Sequence, residues 1–235
     1  MKQANPREPN GSEPLDAHDA LRTGQSSDAN VERPSGAALY HYMEGARAVI
    51  DLIVERFRQG GKDFHDADTL VFPLGLQCRH LVELRLKELY QVLTHEEAQY
   101  HHKLLNLWLT VRPLIEERWP TSNRSSGDRY GHLPREILAE LGIVLRTEGD
   151  LDRAEALIAA LDEIDPLGVS FRYPGTIPAQ VKSVSLEKLA DTALELDAFL
   201  EGCVVAVYEE NATRAEIEAE FRAEVESEYR DLPDW

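Results

Sequence analysis

From Ser35 to about Tyr229 the apolar residues return at three- and four-residue steps, and no stretch alternates at period two long enough to need a sheet. Such a chain can bury its apolar stripes only by packing helix on helix, so the expected fold class is all-α. The first stripe, capped by Ser35, carries Leu39, Tyr42, Met43, Ala46, Val49, Ile50, Ile53 and Phe57, and Gly60-Gly61 stops it. A polar loop through Asp68 is expected next, then a helix from about Thr69 to Leu93, which tolerates Pro73 only in its first turn. That helix is apolar around much of its girth (Leu74, Leu76, Leu81, Leu84, Leu86, Leu89, Val92) and is expected to be the central, most buried one.

A third helix is expected from near His102 to Trp119-Pro120, with Pro113 predicting a kink or break near Val111. After a Ser/Asn/Gly/Asp loop over 121–133, shorter helices fit 134–146 and 150–164, the second capped by Asp150. Residues 165–184 hold Pro166, Gly168, Pro174, Gly175 and Pro178 around Ser170-Phe171-Arg172-Tyr173, which predicts an ordered loop. Ser185 caps a long helix through Val207, and Thr213 restarts an acidic amphipathic helix after Glu209-Glu210-Asn211.

Three regions follow. Residues 1–35, polar and interrupted by Pro6, Pro9, Pro14 and Pro34, are expected to be a disordered tail. Residues 36–208 form the helical core. Residues 209–235, with ten acidic and three basic side chains, form an acidic C-terminal helix. Its apolar positions Ile217, Phe221, Val225 and Tyr229 recur at four-residue steps, enough for one contact face. That face either packs on the body, docks a basic partner or shields the groove from nucleic acid.

Charge and composition narrow the function classes. The 43 acidic and 25 basic side chains leave a formal net charge of -18, which argues against binding long duplex DNA. No apolar run approaches the roughly 20 residues of a membrane span. The first 35 residues hold no apolar stretch suited to a signal sequence, so a cytoplasmic location is expected. Cys78 and Cys203, the two cysteines, are too few and too far apart for a disulfide scaffold or a Cys-based zinc site. His101 and His102 are adjacent and so point to different sides of a helix, and there is no H-E-x-x-H string, so no metal is expected. No Gly-rich phosphate loop and no nucleophile elbow occurs, and no cofactor is expected.

One cluster could carry chemistry. Arg79, Glu83 and Lys87 stand at four-residue steps on the otherwise apolar central helix, with His80 and Arg85 nearby. They read either as i,i+4 ion pairs on a polar strip or as a groove in which Arg, Lys and His hold a phosphate while Glu83 orients them. His102, Arg172 and Tyr173 complete the candidate ligand site if the proline-bounded loop folds over that helix.

The string Glu83-Leu84-Arg85-Leu86-Lys87-Glu88-Leu89, followed by His102-Lys103-Leu104-Leu105-Asn106-Leu107-Trp108 and later Ser170-Phe171-Arg172-Tyr173-Pro174, resembles HEPN-type helical domains. The resemblance implies an E-L-x-L-K-like helix packed against an H-x-L-x-x-L-like helix, over residues 38–208 in layout. It also implies a bacterial defence, phage-defence or toxin–antitoxin-like setting and RNA or nucleotide association. Many members are ribonucleases using an R-x(4–6)-H motif on a late helix. Here the one spacing match, Arg58 to His65, straddles Gly60-Gly61, and the helix expected over 185–208 has neither Arg nor His. The expected function is therefore a non-catalytic HEPN-like binding or regulatory module, with no catalytic residues assigned. It would take a nucleotide or RNA end, and a protein partner or a second copy. The alternatives are a metal-independent ribonuclease built from Arg79/His80 and His101/His102, and a purely structural helical scaffold.

Overall fold

The first helix, α1 (Ser35–Gln59), turns its buried side chains Met43, Ala46, Ile50, Val54 and Phe57 inward at the three- and four-residue steps of its sequence. A computed structural model describes residues 35–60, 63–98, 102–119, 149–173 and 175–230, with side chains from Leu39 to Glu226. Within them it contains α1, α2 (Phe64–Thr94), α3 (Leu104–Arg118), α4 (Asp150–Ile164) and α5 (Leu186–Arg230), and no strand. The chain from Leu39 onward forms one unit. The expected tail before Ser35, His101, the loop at 121–133 and the helix at 134–146 lie outside the described residues.

The all-α expectation is met, and α2 is the central helix, burying Leu74, Cys78, Leu81, Val82, Leu86 and Leu89. Its longest packing contact is with α5; α3 lies against α2, and α4 against both α3 and α5. Directions follow from paired side chains. Arg56 meets Asp66 while the Tyr42 ring stands edge-on to His80, so α1 and α2 are antiparallel. Arg58 meets Glu187 while Arg47 meets Asp197, so α1 also runs antiparallel to α5. The two long helices α2 and α5 therefore run in the same direction.

Four boundaries differ from the sequence expectation. The α2 helix begins at Phe64, because Asp63 caps it by accepting the His65 N–H at 3.4 Å and Asp66 pairs with Arg56 at 3.3 Å. Pro73 then lies inside the helix and not in its first turn. Pro113 likewise sits inside an unbroken α3. Both prolines are on exposed faces, as are Thr69 and Leu109 four residues earlier, so the carbonyls they leave without a donor can turn to water. Ahead of α4, Gly149 occupies the N-cap position without a side-chain cap, and Asp150 is the first helical residue, at the positive end of the helix dipole.

The fourth difference is the largest. No break follows Glu209-Glu210-Asn211: α5 runs unbroken from Leu186 to Arg230. The polar residues that resemble a stop are held from outside. Arg118 donates to Glu210 at 2.9 Å and to Asn211 at 3.3 Å, and the Trp119 indole donates to Glu210 at 2.5 Å. Thr213 bonds back to the Glu209 carbonyl at 3.0 Å instead of capping a new helix. On α1 the expected stripe is narrower than its pattern, with Tyr42 and Val49 exposed.

The described residues of the 165–184 segment form turns and no helix, and Phe171 pins them to α2. A Cβ on Gly75 would lie 2.3–2.5 Å from the Phe171 ring, so the glycine is what lets the ring approach the helix backbone. Gly75→Ala is accordingly expected to lower stability by about 1–3 kcal/mol, the cost of overpacking outweighing the helix propensity gained. Gly45 and Gly202, helical with nothing within 4 Å of an added Cβ, should each gain about 0.5–1 kcal/mol as Ala. Urea unfolding midpoints of the three variants read the opposite signs.

Candidate functional site

Four of the six candidate residues converge where α2 faces the start of α3. Arg79, Glu83 and Lys87 point from successive turns of α2, and His102 lies in the extended segment just ahead of α3. Glu83 is buried and accepts from Lys87 Nζ at 2.6 Å; the same oxygen stands 3.0 Å from His102 Nδ1. Burial pushes the Glu83 carboxyl up, but the hydrogen bonds and charges of Lys87 and His102 outweigh it and hold the group below its ordinary value. Glu83 is thus an ionised clamp between two helices.

Arg79 does not complete an i,i+4 ladder with Glu83. Its guanidinium, 5% exposed, turns the other way and donates to the His102 carbonyl. Its Nε lies 3.4 Å from Asp165 and its Nη1 3.7 Å from Asp162, contacts of charge without hydrogen-bond geometry. Asp165 in turn accepts the Val169 and Ser170 N–H groups, each at 2.8 Å, and so folds the loop after α4 into place. Gly168, at φ 72°, lets the loop backbone pass beside Arg79, where an added Cβ would stand 3.2 Å from Nε.

Arg172 and Tyr173 are exposed, and the Tyr173 carbonyl accepts the Thr176 hydroxyl at 2.6 Å. The Arg172 charge reaches His80. Burial sets the His80 imidazole below its ordinary value; Glu83 opposes that shift, while Arg172 and Lys87 reinforce it. No hydrogen bond or ion pair joins Tyr173 to the cluster among the described residues.

A second charged cluster joins α1, α2 and α5, and the sequence had pointed only to its Arg85. Asp197 of α5 is 2% exposed and accepts from Arg85 Nε at 2.9 Å and Arg47 Nε at 2.5 Å. Glu201 also binds both arginines, at 2.7 Å to Arg47 and 3.3 Å to Arg85, while Glu44 and Glu88 take their outer nitrogens at 2.6 Å. Burial alone would lower both guanidinium values, and the hydrogen bonds and charge of Asp197 raise them instead. The signal was present as Asp197 and Glu201 at i,i+4 on an apolar helix face.

The chemistry open to these groups is narrow. Of the two arginines of the bundle interior, Arg85 gives all three nitrogens to carboxylates, whereas Arg79 makes one hydrogen bond, to the His102 carbonyl, and faces Asp162 and Asp165 by charge alone. Burial pushes the Cys78 thiol up to about 12, so at neutral pH it packs as a small apolar side chain. Arg58, the arginine of the one R-x(4–6)-H spacing, donates to Glu187 at 3.1 Å. Among the described residues no group of three or more His, Cys, Asp or Glu is placed to hold a metal ion, and no helix is long and apolar enough to cross a membrane.

Two measurements test this electrostatic frame. Asp197→Asn removes the buried charge that Arg47 and Arg85 share, leaving the more exposed Glu201 as their one common carboxylate, and is expected to cost about 3 kcal/mol in urea unfolding. The second is the pH dependence. His80 and Glu83 both sit below their ordinary values of 6.5 and 4.5, so in acid the unfolded chain binds more protons than the folded one. Stability should be complete above pH 6.5, fall first as unfolded His80 protonates, and fall again below pH 4.5 as unfolded Glu83 does. His80→Gln should flatten the upper decline and spare the lower one, read as melting temperature against pH.

Comparison with protein-family models, with curated proteins and with solved structures finds no match to this chain.

Proposed function

We propose that the chain is a non-catalytic helical binding module of HEPN-like layout, acting through protein contacts, in which the buried charges fix the helices and the far half of α5 offers the binding surface. The observation that carries this reading is that α5 continues past its last anchor, Glu210–Asn211, through residues 212–226, all exposed except the half-buried Val225. A helix kept in water with Ile217 60% and Phe221 67% exposed contributes nothing to the core. The HEPN-like part of the reading is supported by the meeting of the two resembling strings through Glu83 and His102.

The ribonuclease alternative would require Arg79 to reach a phosphate. It is 4% exposed and tied to His102, Asp162 and Asp165, so that contact would first have to break the loop anchor. A second reading has the exposed Arg172 in its favour, a cation on an acidic protein that would suit the phosphate of a nucleotide or RNA end.

Ending the chain after Asn211 is expected to leave the melting temperature within about a degree, since the side chains of 212–226 are exposed apart from the half-buried Val225. A loss of several degrees would mean that the segment serves the fold and would overturn the binding reading. Calorimetry of the full chain against adenine and guanine nucleotides and a short single-stranded RNA separates the readings. The proposal expects no heat, and heat that disappears in Arg172→Ala would favour the phosphate site.

A further inference from the structure

The projecting part of α5 is built from four rows that each repeat every four residues. One row is Ala215, Ala219 and Ala223, the best helix formers. A second is Arg214, Glu218, Arg222 and Glu226, whose signs alternate at the spacing that lets oppositely charged side chains meet along a helix. These two rows account for a helix that stands without tertiary support. The other two rows do not serve that end. Ile217, Phe221 and Val225 form an apolar row opposite the alanines, and Glu216, Glu220 and Glu224 run beside it as a row of like charges at i,i+4 spacing, which disfavours the isolated helix. All of these side chains are exposed, apart from the half-buried Val225.

The apolar row is therefore bordered on one side by acid without an intrinsic counter-charge, and on the other by a self-balanced row. We infer that this edge of α5 docks a short, basic, amphipathic helix of another protein, with apolar side chains laid over Ile217, Phe221 and Val225 and Lys or Arg side chains along Glu216, Glu220 and Glu224. The inference rests on the reading of the chain as a protein-binding module and names the class of its partner.

Two observations select this occupant over a second copy of the chain. Residues 209–235 carry ten acidic against three basic side chains, and the whole chain is at -18, so like would face like across a symmetric contact. The period also matters. A long two-helix seam needs a repeat near 3.5 residues, whereas a repeat of four drifts around the helix by about 40° per step. The row can thus meet a partner only over the roughly 20 Å of residues 214–226, with the partner crossing at the angle of interlocking i±4 ridges. A short helix laid across the edge fits that limit, as amphipathic helices do in other helix-recognition surfaces.

The test titrates the full chain with a synthetic Leu/Lys amphipathic helical peptide, followed by calorimetry at two salt concentrations. The controls are a Leu/Glu peptide of the same pattern and a Ser/Lys peptide without the apolar row. Binding of the Leu/Lys peptide alone is expected, weakened by salt. It should fall by at least about tenfold in I217S/F221S and again in E216Q/E220Q/E224Q, with the melting temperature of both variants unchanged because the side chains are exposed. Equal binding of the Leu/Glu peptide, or undiminished binding to I217S/F221S, overturns the inference. A monomer–dimer equilibrium in sedimentation that I217S/F221S abolishes also overturns it, by naming a second copy as the occupant. Failure of the underlying reading looks different: the chain ended after Asn211 would then lose thermal stability, with or without peptide.

Discussion

The carboxylate of Asp197 is the point on which three helices depend. It lies inside the bundle and is shared by Arg85 of α2 and Arg47 of α1, so one acidic group on α5 meets a positive charge from each neighbouring long helix. Without it the two guanidiniums would share only the more exposed Glu201, and the carboxylate without them would be a buried charge with no partner. Glu201, one turn further along α5, binds the same pair and sets the rotation of α5 about its axis. Such a network is costly to break and adds little over a well-packed apolar core; what it supplies is register among helices whose apolar stripes alone would tolerate sliding.

The same logic operates at the other polar cluster, with a different object to hold. Arg79 ties the loop after α4 to the segment before α3, and Glu83 ties that segment to α2. The parallel course of α2 and α5 makes this necessary. Parallel neighbours cannot be joined by a tight turn, so the chain must return along the bundle, and its returning segments need anchors. Phe171 against Gly75 supplies the apolar anchor, and Asp165 with Arg79 the polar one. Arg79 and Glu83, two of the six candidate ligand residues, thus also hold the connection.

Outside these two clusters a notable polar contact is at the end of α3. Arg118 and Trp119 at the end of α3 grip Glu210 and Asn211, and beyond that grip the side chains of 212–226 are exposed apart from the half-buried Val225. A terminal helix that only needed to close the core could have ended there. Its continuation carries alanines and charges of alternating sign at four-residue steps, which favour a helix without tertiary support.

The amino-acid sequence by itself determined the helices: the steps of Met43, Ala46, Ile50 and Val54, or of Leu196 and Leu200, admit no other class, because periodicity is a local property. It also disclosed the polar strip on α2 and the four-residue step of Ile217, Phe221 and Val225. It did not disclose which way Arg79 turns, nor that Asp197 rather than Glu83 lies at the centre, since a charge at helical spacing looks the same whether its partner is one turn away or on another helix. Nor could Glu209-Glu210-Asn211 be seen as mid-helix, because the groups that satisfy it, Arg118 and Trp119, are distant in sequence. Tertiary packing decided these points for one physical reason: the desolvation of a charge is set by everything packed around it, and only the fold brings those groups together.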